Sequence, residues 1–228
     1  MTATPVNLLP AIELETGNRP THTVLWMHGL GADGHDFVPI VDELALPSSY
    51  RVRFLFPHAP SRAVSINHGM VMPAWYDFDM AEPDAVPYED AASLYDSQHA
   101  IEALIARETQ RGIQSGNIVL AGFSQGGALA LQTGLRYPNK LAGIMALSSY
   151  LPLPQTLAAE AHATNASTSI FMAHGEMDNV IPMMVAAATR RQLLESGYAI
   201  EWHQYRMAHS VCAEEIADIR TWLKRILA

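Results

Sequence analysis

The chain has 228 residues, 49% hydrophobic and 16% charged, which excludes a disordered chain and fits one domain burying roughly 70% of its unfolded surface. With 14 Lys and Arg against 23 Asp and Glu, its formal net charge is −9, which argues against a nucleic-acid partner and gives no attraction to anionic lipid.

Residues 1–20 read as an N-terminal extension or an edge strand. HTVLWMH (22–28) reads as a buried strand, HDFVPIVDELA (35–45) as a helix with Pro39 near its first turn, and YRVRFLFP (50–57) as a second strand. Residues 58–88 are rich in Pro, Gly, His and Met and read as one long irregular loop, a length that points to function. Helical spacing returns over 89–112, with Ala92, Tyr95, Ile101, Leu104 and Ile105 on one side. Then come a strand (117–123), a helix (126–137) stopped before Pro138, and a strand (141–149). A Pro- and Ala-rich connection (150–167) leads to a strand (167–175), a helix (183–197), a strand (198–206) and a closing amphipathic helix (212–227). Near-continuous apolar strands alternating with helices predict an α/β fold with a mostly parallel sheet covered on both faces. No repeat or linker divides the chain, so residues 1–228 read as a single domain. In such sheets chemistry sits just past the carboxyl ends of the strands.

The opening segment lacks a basic region and an apolar run, so neither a signal peptide nor integral membrane association is expected. One cysteine, Cys212, permits no internal disulfide and fits a reducing, cytoplasmic setting.

Gly122-Phe123-Ser124-Gln125-Gly126 is a G-x-S-x-G motif set directly between a predicted strand and a predicted helix. A tight, strained turn there lifts the Ser124 hydroxyl clear of the backbone, and side chains in place of the two glycines would collide with it. The helix behind aims its free N–H groups and positive dipole end at the same spot. A serine hydroxyl is a weak nucleophile and needs a base held by an acid. Asp178 lies just past the 167–175 strand, and His209 just past the 198–206 strand. Glu176 is an alternative acid, while His203 inside a strand and His174 at a strand end read as structural. The oxyanion needs backbone donors: the N–H of Gln125, after the nucleophile, and that of Leu30, in the glycine-rich HGLGADGHDF (28–37).

The segments HGLGADGHDF, MPAWYDF (72–78), LAGFSQGGALAL (120–131), HGEMDNVIP (174–182) and MAHS (207–210) together resemble the acyl-protein thioesterase, or phospholipase/carboxylesterase, family of α/β-hydrolases, with motifs spread over nearly the whole chain. The resemblance implies an α/β-hydrolase fold without a large lid, a Ser124-Asp178-His209 triad, oxyanion donors at Leu30 and Gln125, and action on carboxylic esters or acyl thioesters. It also places MVMPAWYDF beside the acyl pocket, which makes Trp75 and Met72 pocket candidates, with Leu151 a weaker one. Two departures bear on loop shape: Ala208 stands where relatives often carry Gly, and GADG where they often carry GDxG.

The expectation is therefore a serine carboxylesterase acting on small-molecule esters, short- to medium-chain ones first. The alternative is an acyl-protein thioesterase or lysophospholipase acting on long chains. No cofactor is called for. Ten histidines include no H-x-x-x-H or H-E-x-x-H pattern, so no metal site is expected. Cys212 opens the last helix and reads as structural. Apolar surface along 58–88 suits a homodimer contact or a substrate equally.

Overall fold

The computed structural model describes residues 8–79 and 88–228. Strands β1 (Ala11–Glu15), β2 (His22–Met27) and β3 (Val52–Pro57) are followed by two small pairs, β4 (Ser61–Val64) with β5 (Met70–Pro73) and β6 (Phe78–Asp79) with β7 (Tyr88–Glu89). Strands β8 (Ile118–Phe123), β9 (Gly143–Leu147), β10 (Ser169–Gly175) and β11 (Ile200–Tyr205) complete the set. The helices are α1 (Ile40–Leu44), α2 (Ala91–Gln110), α3 (Gln125–Arg136), α4 (Leu157–Glu160), α5 (Met183–Glu195) and α6 (Ala213–Ile226).

The main sheet has seven strands in the order β1-β3-β2-β8-β9-β10-β11. Every pair is parallel except β1 with β3, so the N-terminal segment is an antiparallel edge strand. The five inner strands are buried almost throughout, while the edge strands β1 and β11 are only partly so. Period-two alternation divides the inner strands between two cores. Leu25, Met27, Leu55, Leu120, Ile144 and Met172 face a layer containing Leu94 and Ile101 of α2 and Leu131 of α3. Val24, Trp26, Phe54, Phe56, Val119 and Phe171 face Leu44 of α1 and Ile219, Trp222 and Leu223 of α6. Among the described residues no helix is long and apolar enough to cross a membrane.

Two expectations need correction. The helix read over 35–45 is regular only from Ile40 to Leu44. Before it, N–H groups bond three residues back, as from Asp36 to Asp33 and from Val38 to His35; Pro39 has no N–H to extend an α-helix backwards, and the Asp33 carboxylate takes the N–H of His35. The stretch 58–88 is not one irregular loop either. It holds the β4–β5 hairpin, in register Ser61↔Pro73 to Val64↔Met70 and turned by His68 and Gly69, both at positive φ. Residues 80–87 of that stretch lie outside the described residues.

One buried ionic cluster ties β3 to α2. The fully buried Glu108 carboxylate meets Arg53 at 2.6 Å, Arg111 at 2.9 Å and Arg107 at 3.2 Å, and accepts from the Thr23 hydroxyl at 3.1 Å. Burial pushes this carboxyl up, but Arg53 and Arg111 outweigh that and hold it below the usual carboxylate range. Its contribution is therefore present at neutral pH and lost as pH falls through the depressed value. Glu108→Ala takes from the buried Arg53 its shortest ion pair and leaves it Glu15 at 2.9 Å; the loss of this charged hydrogen bond is expected to lower unfolding stability by about 1.5–3 kcal/mol. The check is the urea midpoint of the variant against the native chain at pH 7; an unchanged midpoint would show the cluster to be energetically neutral.

Candidate active site

The joint between β8 and α3 carries Ser124 at φ 54 and ψ −121, a conformation that is strained for any residue with a side chain. It is held from several sides. The Ser124 N–H donates to Leu147 O at 2.9 Å, and Ser124 O accepts from Ser149 Oγ at 2.8 Å and from the Ala128 N–H at 3.0 Å. The flanking glycines answer a steric need. A Cβ on Gly122 would lie 2.2 Å from the Gly126 backbone, and one on Gly126 would lie 2.3 Å from Met27 O and 2.5 Å from His28 O. The helix start thus packs directly on the end of β2.

Asp178 sits in the turn after β10, its side chain fully buried. Its Oδ1 accepts the N–H groups of Val180 and Ile181, both at 2.9 Å, and its Oδ2 lies 2.7 Å from His209 Nδ1. That bond puts the Nδ1 proton between the two residues and leaves Nε2 as the free ring nitrogen. His209 stands on the loop after β11, with its ring 4.7 Å from that of Phe123. Ser124 and His209 line one cleft. Glu176, by contrast, is exposed.

The other histidines have separate work. His174 is buried, with Nε2 2.8 Å from Ile181 O and 3.4 Å from Asp178 Oδ2. Burial pulls its pKa down, so it is a neutral donor fixing the 178–181 turn. His203 stacks on Phe171 and meets Glu201 and Asp218. Cys212 caps α6, and burial pushes its thiol up. Asp33, His35 and His58 bring metal-ligand atoms within 4.8 Å of one another near the surface. Asp33 already holds the N–H and Nδ1 of His35, and His58 Nδ1 accepts from the Gly34 N–H; the trio shapes the loop after β2.

That loop brings Leu30 to the cleft that Gln125 also lines. Gln125 is the first residue of α3, so its N–H has no carbonyl of the helix to meet. Of GADG, Asp33 is exposed and Gly34 is buried against Phe56 O, and neither lines the cleft. Ala208 is exposed, so its methyl group displaces nothing.

The cleft measures about 450 Å³, within the span typical of small-molecule sites. Its walls are largely apolar, with Ile66, Phe78, Phe123, Val180 and Ile181. Tyr76 and Tyr150 share the lining, their hydroxyls 2.9 Å apart. Burial raises both phenol pKa values, so both stay protonated.

None of the three expected pocket residues lines this cleft. Trp75 is fully buried; its indole N–H donates to His28 O at 2.8 Å, and its ring packs against His28. Met72 lies behind the lining, its Sδ accepting from Asn67 Nδ2. Leu151 is buried and gives its N–H to Thr189 Oγ1. The residue just after Trp75, Tyr76, lines the cleft instead; the chain bends at both residues, between β5 and β6.

The phospholipase/carboxylesterase family model matches residues 10–227. The acyl-protein thioesterase 1 of Neurospora crassa is 40% identical over 226 residues, covering 96% of this chain and 90% of that protein. The acyl-protein thioesterase 1 of Yarrowia lipolytica is 36% identical over 220 residues, covering 94% and 96%. Among solved structures, Arabidopsis thaliana SOBER1 superposes with a TM-score of 0.83 at 30% identity, covering 91% of this chain and 99% of that one. Zea mays acyl-protein thioesterase 2 superposes at 0.80 with 25% identity, covering 96% and 99%. A family match over nearly the whole chain and relatives of this identity agree with the sheet order and the serine turn: the chain is a carboxylic ester hydrolase with the α/β-hydrolase fold, and it belongs to the phospholipase/carboxylesterase family.

Proposed function

We propose that the chain hydrolyses long-chain acyl esters and thioesters through Ser124, Asp178 and His209. The observation that carries the chemistry is the bond of 2.7 Å between His209 Nδ1 and Asp178 Oδ2, in a loop whose histidine shares one cleft with Ser124. His209 Nε2 takes the Ser124 proton as Oγ bonds to the acyl carbon. The carbonyl oxygen becomes an oxyanion held by the N–H groups of Leu30 and Gln125. The C–S or C–O bond then breaks, and the leaving group departs with the proton from His209. Water repeats the sequence: His209 takes its proton, hydroxyl adds to the acyl carbon, and Ser124 leaves reprotonated with the fatty acid free. Asp178 holds the imidazole in the productive tautomer and stabilises its charged form.

The substrate reading moves from short- to medium-chain esters toward the long-chain alternative. Two things support the move: an apolar cleft of about 450 Å³, and close relatives named as acyl-protein thioesterases. The test is a p-nitrophenyl ester series from butanoate to hexadecanoate, with an S-palmitoylated peptide alongside. A rise of kcat/KM with chain length and cleavage of the peptide are expected. A sharp fall beyond the hexanoate would make the chain a short-ester carboxylesterase.

A further inference from the structure

The two proposed oxyanion donors belong to separate elements, the loop after β2 and the first turn of α3. Residues 73–76 run between them, and nearly every polar group of that segment is engaged. Pro73 O accepts the Gly31 N–H at 2.9 Å, next to Leu30. The Trp75 N–H donates to Gln125 Oε1 at 2.8 Å, and Tyr76 O accepts from Gln125 Nε2 at 2.7 Å. The Trp75 indole donates to His28 O at 2.8 Å, two residues before Leu30. The Ser97 hydroxyl, from α2, takes up Trp75 O. His28 is itself fixed: Nε2 accepts the Ala59 N–H at 3.1 Å, which puts the ring proton on Nδ1, 2.7 Å from Gly29 O. Trp75 is fully buried, and Gln125 is 4% exposed.

A tryptophan kept only for packing needs some partner for its indole N–H. A glutamine side chain at an enzyme's helix start needs no second role. Here one amide side chain grips main-chain groups of two consecutive residues about fifty residues away, and its own main-chain N–H is one of the donors. The indole of the gripped residue then holds the strand end that leads to the other donor. Resting on the esterase reading above, we infer that Trp75 and Gln125 are positioning residues: residues 73–76 form a hydrogen-bonded strap that sets the spacing of the Leu30 and Gln125 N–H groups.

The test uses the full chain with Trp75→Phe, which keeps an aromatic ring and loses the indole donor, and Gln125→Met, which keeps the length and loses both side-chain bonds. A small misplacement of catalytic groups costs up to about a hundredfold in rate. Each variant is therefore expected to lower kcat for a p-nitrophenyl ester by about ten- to a hundredfold with KM unchanged. Affinity for a trifluoromethyl ketone, which forms an oxyanion on Ser124, is expected to fall by the same factor. Affinity for an unreactive ether analogue of the ester is expected to hold. The double variant is expected to lose less than the product of the two, because both cut one strap. Unchanged kcat in both variants, or equal losses for the ketone and the ether, would overturn the inference. If Trp75→Phe fails to fold, Gln125→Met alone decides. Ser124→Ala run in parallel separates the levels. Activity abolished there but normal in the strap variants sinks only the strap, whereas activity kept there sinks the esterase reading and the strap with it.

Discussion

Ser124→Ala is expected to lower kcat by on the order of 10⁶ while leaving the fold and the thermal transition in place; loss of the nucleophile in a serine hydrolase has that scale. The size follows from the chemistry. Without Oγ there is no acyl-enzyme, and His209 has no hydroxyl proton to take. What remains is the cleft, the backbone donors and bound water, which together give a residual rate well above the uncatalysed one. The fold is expected to survive because the bonds that hold the joint come from the main chain of Ser124: its N–H to Leu147 O, and its carbonyl to Ser149 Oγ and the Ala128 N–H. Alanine keeps all of them, and at φ 54 its Cβ meets the same strain as that of serine. The measurements are steady-state kinetics on the best p-nitrophenyl ester, labelling by a fluorophosphonate, and a melting curve. A variant that keeps near-native turnover would place the nucleophile elsewhere. A native chain that takes no label would return the molecule to the class of binding proteins on a hydrolase scaffold.

The inner strands, the joint at Ser124 and the places of Asp178 and His209 were legible in the sequence because each is fixed locally. A buried parallel strand must be apolar on both faces, as VLWM and IVLAG are. A serine at φ 54 between glycines where an added Cβ would lie 2.2–2.3 Å from backbone atoms leaves little choice of residue. The hairpin at 61–73 was not legible, because its strands are only four residues long and largely exposed, and the apolar MVMP has the polar SRAV as its partner. Its turn did leave a trace in Asn67-His68-Gly69, where the last two residues take positive φ. The cleft walls were not legible either, since they combine side chains from the hairpin, the strap and the loops after β8, β9 and β10. Trp75 shows the limit most clearly. An aromatic residue in a loop suits a pocket or a seal equally, and only the indole bond to His28 O decides for the seal. Gln125 was read for its main-chain N–H alone; its side chain bonds residues 75 and 76, a contact that no local pattern announces.

Asp178→Asn is expected to lower kcat by about 10⁴ with little change in KM, the scale seen when the triad acid becomes an amide. The two Asp178 oxygens have different partners, and that makes the substitution clean. Oδ1 accepts the N–H groups of Val180 and Ile181. An asparagine keeps this oxygen in place, because turning the amide over would set its NH₂ against two donors. The NH₂ must then occupy the site of Oδ2 and face His209 Nδ1. A donor there forces Nδ1 to accept, so the ring proton moves to Nε2 and points into the cleft toward Ser124. In that tautomer His209 cannot take the serine proton, and the imidazolium that would form has lost its carboxylate. His174 offers no substitute, since burial keeps it neutral and its Nε2 is bonded to Ile181 O. Glu176→Gln is the companion variant: its carboxylate is exposed, and its loss is expected to leave kcat unchanged. A near-native Asp178→Asn together with a crippled Glu176→Gln would transfer the acid to Glu176 and show that the bond at 2.7 Å does not serve turnover.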